Sequence, residues 1–186
     1  MSFITSYGNL ESSLKKMIEI KKYNELSEEV KNQLNSYIED EFGHIAIVKE
    51  TEWAAPNWTI IYYDNLQIVT FYNIVEREIT IDTKNYRVSG INNLITPKEF
   101  RGMGYASKIL KETENLIFED LKCDMGVLLC ADDLIPFYEK LHWYQIDCPV
   151  YFEQSNVEKL WKGNIMVLTR DEKMNPDKIE LNGLPW

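Results

Sequence analysis

The stretch Leu94-Ile95-Thr96-Pro97-Lys98-Glu99-Phe100-Arg101-Gly102-Met103-Gly104-Tyr105-Ala106 gathers the residue types that can hold an anion. A strand-like apolar run stops at Thr96-Pro97, two glycines follow, and an amphipathic run begins directly after them. Glycine takes positive φ at no steric cost and lets backbone approach a ligand closely. The first amides of a helix lack intrahelical partners, and the helix dipole adds partial positive charge there. Together these features suit a diphosphate. Arg101 can add charge-assisted contacts, and without it the amides still serve. The plain alternative is a strand-to-helix connection that holds nothing.

Further along lies Ile135-Pro136-Phe137-Tyr138-Glu139-Lys140-Leu141-His142-Trp143. A phenol with an ordinary pKa of about 10 is protonated at neutral pH and can give its proton to a departing thiolate. Tyr138 is therefore a candidate general acid. Its other reading is a packed tyrosine on an amphipathic helix beside Phe137 and Leu141.

Arg101-x-x-Gly104-x-Ala106 resembles the acyl-CoA pyrophosphate loop of the GNAT acetyltransferase superfamily, and residues 135–143 resemble its Phe-Tyr-x-x-Leu-Gly-Trp element. The resemblance covers residues 58–145 and implies acetyl-CoA as co-substrate. It places Arg101, Gly102, Met103, Gly104, Tyr105 and Ala106 on the pyrophosphate and Leu94, Ile95 and Thr96 on the strand before it. Backbone N–H groups of Leu94 and Thr96 would polarise the thioester carbonyl, as fixed donors aimed at a developing oxyanion must. Tyr138 would be the acid. Two departures stand out: His142 replaces a glycine that ends the helix, and Asn92 occupies a position where some members carry a glutamate base. A water relay, or Glu41, Glu50 or Glu52, would then take the amine proton.

Thr51-Glu52-Trp53 and the final Gly183-Leu184-Pro185-Trp186 also resemble the aminoglycoside 2′-N-acetyltransferases. That narrower likeness implies Glu52 and the carboxylate of Trp186 as substrate-binding groups. The function implied is acetyl-CoA-dependent N-acetylation of a primary amine on a small, aminoglycoside- or polyamine-like acceptor, by direct transfer in a ternary complex. The alternative is a CoA-binding sensor or regulatory module without acceptor chemistry; a scaffold domain would show no CoA affinity at all.

The elements that must position these residues follow from periodicity. Ile18 and Ile20 alternate with charged neighbours in a first strand over 14–24. Ser27, followed by Glu28 and Glu29, caps a helix over 28–42 carrying Val30, Leu34, Tyr37 and Ile38. Residues 44–57 read as irregular. Strands over 58–63 and 66–78 flank an Asp64-Asn65 turn, Lys84-Asn85 turns again, and 86–96 is the next strand. A helix over 103–121, a buried strand over 126–130, a helix from Asp132 to near His142, and strands over 150–152 and 165–169 complete the pattern. The fold class expected from this order and from the resemblance is mixed α/β. It has a mostly antiparallel central sheet, flanking helices, and a parallel pair formed by the strand ending at Thr96 and that at 126–130. CoA would enter where that pair splays.

At 186 residues, 45% hydrophobic and 27% charged, the chain reads as one globular domain over 1–186, with 171–186 as a polar tail. No apolar run approaches the ~20 residues of a membrane span. The N-terminus lacks the flank and core of a signal peptide, so a cytoplasmic location is expected. Cys123, Cys130 and Cys148 lack metal-ligand spacing, so reduced thiols and no metal site are expected. A net charge of −10 argues against nucleic acid and fits either a cationic substrate or mere solubility. A homodimer is left open.

Overall fold

A computed structural model of the chain describes residues 3–5, as backbone, and 16–186. Residues 14 and 15 of the expected first strand lie outside the described residues. Ile18 and Ile20 are buried on one face of β2 (Lys16–Lys22), which pairs with β1 (Phe3–Thr5). Helix α1 (Glu28–Phe42) starts as its cap dictates: the Val30 amide donates to Ser27 Oγ at 3.3 Å, and Leu34 is driven into the core. A short helix α2 (Ala46–Glu50) interrupts the stretch expected to be irregular.

Strands β3 (Trp58–Asp64) and β4 (Gln67–Ile81) meet at Asn65-Leu66, both at positive φ, as a two-residue hairpin requires. The next turn lies at Asp82-Thr83, two residues ahead of the expected Lys84-Asn85, and β5 runs Lys84–Ile95. Asp82 takes φ +56, and its carboxylate accepts the amides of Asp177 at 2.9 Å and Lys178 at 3.1 Å. Those contacts come from the far end of the chain.

The sheet follows the order β1-β2-β3-β4-β5-β6-β10-β7, with β6 at Met125–Cys130, β10 at Asn164–Leu168 and β7 at Tyr144–Ile146. Along this order every pair is antiparallel except β5 with β6, which are parallel. The hairpin β8 (Val150–Gln154) and β9 (Val157–Leu160) joins through β11 (Ile179–Glu180), which pairs with both β4 and β8. This is the mixed α/β architecture expected. Strands β1, β7, β9 and β11 were not. Residues 171–186 do not hang free either: Ile179, Leu181 and Trp186 are buried.

The helix expected over 103–121 breaks in two. Helix α3 spans Tyr105–Glu112, and a π-helical turn spans Leu116–Asp120. Between them Thr113 donates its hydroxyl to the Ile109 carbonyl at 2.6 Å and shares a 2.6 Å hydrogen bond with the buried Tyr72 hydroxyl. A threonine bonded back to its own helix competes with the backbone ladder and bends it.

The helix expected from Asp132 to His142 is a 3₁₀ turn at Asp132–Leu134 followed by α4 (Ile135–Glu139). His142, standing in for a glycine, takes φ +67 while exposed. A non-glycine residue pays about 1–2 kcal/mol for that conformation. His142→Gly should therefore raise stability by about 0.5–1 kcal/mol after the extra freedom of unfolded glycine is subtracted. The midpoint of urea unfolding measures this; an unmoved midpoint would mean that the position is relaxed.

Candidate active site

The parallel ladder of β5 and β6 runs from Val88–Met125 to Ile91–Leu128 and stops there. Beyond it β5 still pairs with β4, but out of step: Asn73 faces Asn92, whereas Phe71 faces Ile95. Two steps along β4 thus match three along β5. The extra residue is a β-bulge, with Asn93 at φ +52. Asparagine is among the few residues that tolerate this region. A bulge bends its strand and increases twist, so β5 leaves β6 at Asn92.

Two cavities open at that divergence. One, of about 550 Å³, is lined by Leu94, Ile95 and Thr96 together with Arg101, Gly102, Gly104, Tyr105, Ala106 and Tyr138. The other, of about 680 Å³, is lined by Ile91, Asn92 and Asn93 from β5 and by Leu129, Cys130 and Ala131 from the end of β6. Consecutive residues of one strand therefore wall both.

The loop before α3 has the form its residues imply. The Phe100 amide bonds the Pro97 carbonyl at 2.9 Å, closing a tight turn. Gly102 and Gly104 take φ +74 and +78, and a side chain at either would project into open space. The Lys108 amide is the first to bond back into the helix, to Gly104 O at 3.0 Å, which leaves those of Tyr105, Ala106 and Ser107 without helical partners. All three residues line the smaller cavity. Free amides, positive φ and open space at two glycines fit a diphosphate.

Arg101 is exposed but engaged: its Nε donates to the Thr96 carbonyl at 3.0 Å, and its guanidinium pairs with Glu41 of α1. That pairing ties the loop to α1. Tyr105 contributes its backbone, because its hydroxyl donates to Asp64 at 2.7 Å and its ring packs edge-on against Tyr62. Met103 is the one loop residue that the structure does not bring to the cavity. It is 62% exposed and precedes the helix rather than joining its apolar stripe.

Tyr138, on α4, lies between the edges of Phe137 and Trp143, with ring centroids 4.9 and 6.1 Å away. The residue is buried, yet its hydroxyl has no hydrogen-bond partner among the described residues and is not sealed from the cavity. Burial pushes its phenol well above the ordinary tyrosine range, and the neighbouring Cys130 adds to the shift. The phenol is thus protonated at any physiological pH. Cys130 lines the larger cavity, and burial, with Asp132 and Asp133, pushes its thiol up to about 11. It is a thiol at neutral pH and not an activated nucleophile.

Among the remaining candidates, Asn92 faces the larger cavity, paired across the ladder with Asn73. Glu41 lies beside the smaller cavity in its ion pair with Arg101. Glu50 and Glu52 are exposed and line neither cavity; the Glu52 amide, not its carboxylate, makes a contact, donating to Gln154 Oε1 at 3.2 Å. Trp186 does line the larger cavity. Its indole lies against Gly90, where a side chain would clash, and donates to the Val127 carbonyl at 3.3 Å.

Sequence reasoning missed most of the larger cavity's wall: Phe42, Ile45 and Val48 around α2, Trp53, and Trp161-Lys162 ahead of β10. Trp53 and Trp161 meet edge-to-face at 6.3 Å although they are far apart in the chain. No local pattern carries such a contact.

Among the described residues no helix is long and apolar enough to cross a membrane. Known proteins share the fold. The chain superposes on the GNAT family N-acetyltransferase YhbS of Escherichia coli, solved in complex with CoA, with a TM-score of 0.59 and 10% identity over 94% of each chain. With ElaA of Escherichia coli the TM-score is 0.57 at 12% identity, covering 81% of this chain and 96% of that one. A conserved protein of Enterococcus faecalis V583 gives 0.53 at 18% identity over 70% of this chain, which spans only 33% of that longer one. No curated protein matches the chain. Residues 16–146 match the family model described as the acetyltransferase (GNAT) domain. With the parallel pair, its bulge and the glycine loop in place, the chain belongs to the GNAT acetyltransferase family and carries that family's acetyl-CoA-dependent N-acetyltransferase domain.

Proposed function

We propose that the chain acetylates a primary amine of a small molecule by direct transfer from acetyl-CoA within a ternary complex. One observation carries this reading: residues 91–93 of β5 and residues 94–96 at its end wall two adjoining cavities, one with a phosphate-type loop and one without. A donor seated in the first and an acceptor in the second would meet across the bulge.

Acetyl-CoA supplies an acetyl thioester. The amides of Tyr105, Ala106 and Ser107 and the glycines before them hold its diphosphate. The unpaired edge of β5 around Leu94 and Thr96 offers fixed N–H donors to the thioester oxygen, where charge develops. The amine nitrogen uses its lone pair to form the new C–N bond as the C–S bond breaks. Tyr138 Oη gives its proton to the departing sulfur, and the proton lost by the amine reaches solvent, from which the phenol is restored. Neither Cys130 nor any other thiol takes the acetyl group, since a protonated thiol is a poor nucleophile.

A continuous record of thiol release from acetyl-CoA across a panel of amines tests this. Release that depends on amine is the expected result. CoA binding with no amine-dependent release would mark the chain as a sensor, a reading that Asn92 at the base position favours.

A further inference from the structure

The larger cavity allows a statement about the acceptor, resting on the transferase reading above. We infer that the acceptor is a weakly basic aromatic amine bearing an anionic substituent, of the aminobenzoate kind, and that polycations are excluded.

Its walls are aromatic. Trp53, Trp161, Trp186 and Phe42 line it, with Trp53 edge-on to Trp161 at 6.3 Å. Aromatic faces and edges set this way favour a planar ring through their quadrupoles, beyond the area they bury.

Its charge has the wrong sign for a polyamine. The chain carries 30 acidic and 20 basic residues, yet no aspartate, glutamate or histidine side chain lines this cavity. Its one charged lining side chain is Lys162. An ammonium entering here would lose water and meet no counter-charge among these side chains.

The same lining lacks a base. Its titratable side chains are Tyr23, Cys130 and Lys162, and Cys130 stays protonated. An alkylamine with a conjugate-acid pKa near ~10, like that of lysine, is almost wholly ammonium at neutral pH and needs a base before it can attack. An aromatic amine, its lone pair delocalised into the ring, arrives neutral. Asn92, which cannot take a proton, is then no defect.

Beside the amides of Asn35, Asn92 and Asn93, the lining holds two further donors. Asn73 is 2% exposed and accepts the Thr59 hydroxyl on Oδ1 at 2.8 Å, and its Nδ2 has no partner among the described residues. Trp161 Nε1 is sealed against Gly163 and is not one of them. With the exposed Lys162, the Asn73 donor selects an acceptor oxygen, and a carboxylate satisfies both best.

Thiol release with aniline, 4-aminobenzoate, 2-phenylethylamine and spermidine tests each element. Both arylamines should be used, with kcat/KM about 10²-fold or more above spermidine, the size expected for an unpaired buried charge. 4-Aminobenzoate should lead aniline by roughly threefold, the worth of one exposed ion pair, and Lys162→Gln should abolish that lead. An unchanged ratio in Lys162→Gln would overturn the carboxylate assignment. 2-Phenylethylamine outrunning aniline would overturn the requirement for a weak base. Spermidine as the preferred acceptor would overturn the inference and leave transfer intact. No release with any of the four, despite acetyl-CoA binding, would overturn the transferase reading and this inference with it.

Discussion

Gly104→Val is expected to raise the dissociation constant for CoA by about 10²-fold. Gly104 sits at φ +78 immediately before α3. A β-branched residue there costs about 1–3 kcal/mol, and each 1.4 kcal/mol is tenfold in affinity when binding needs the native loop. No protein atom lies within 4 Å of where the new Cβ would be, so the side chain disturbs the ligand's space rather than the core. The fold should persist, less stable by the strain alone. Calorimetric titration with CoA measures the affinity, and far-UV circular dichroism checks the fold. An affinity within twofold of wild type would remove the loop from the binding site.

Tyr138→Phe should lower turnover by about 10²-fold or more, the range of one general acid, with CoA affinity nearly intact. The ring and its edge contacts to Phe137 and Trp143 survive the change; only the proton is lost. The pH dependence follows from the raised pKa. An acid works while protonated, and raising its pKa extends that state to higher pH. Tyr138 should therefore cause no alkaline fall in kcat below about pH 10, the ordinary tyrosine value. A fall that begins near pH 8 and vanishes in Tyr138→Phe would contradict this. Wild-type turnover in the variant would make Tyr138 a packing residue.

The chemistry of the CoA side was legible because it is local. A proline that stops a strand, glycines that accept positive φ and an amphipathic helix stand next to one another in the chain, and each acts through its own backbone. The same holds for Ser27 at the start of α1 and for the alternation of Ile18 and Ile20 in β2. The helix over 103–121 was misread for the complementary reason. Its apolar stripe continues across Thr113, but the hydroxyl of Tyr72, brought from β4, engages that threonine, and the helix breaks. The turn before β5 shifted likewise, because Asp82 caps amides of Asp177 and Lys178.

The larger cavity depended on tertiary structure throughout. Glu52 has the charge to hold a cation and stands next to Trp53, but only the tryptophan reaches the cavity. In irregular backbone, neighbours in sequence do not share a face by any fixed period. Trp161 and Lys162 arrive from the turn after β9, and Trp186 arrives because Gly90 leaves room for its ring. Residue types and spacing alone determined the family, the co-substrate, and the strands and loop that line the smaller cavity, since those follow from backbone geometry over a few residues. Only packing over long sequence separations decided which side chains line the larger cavity and what charge they present, because burial and contact belong to the folded surface and not to any stretch of the chain.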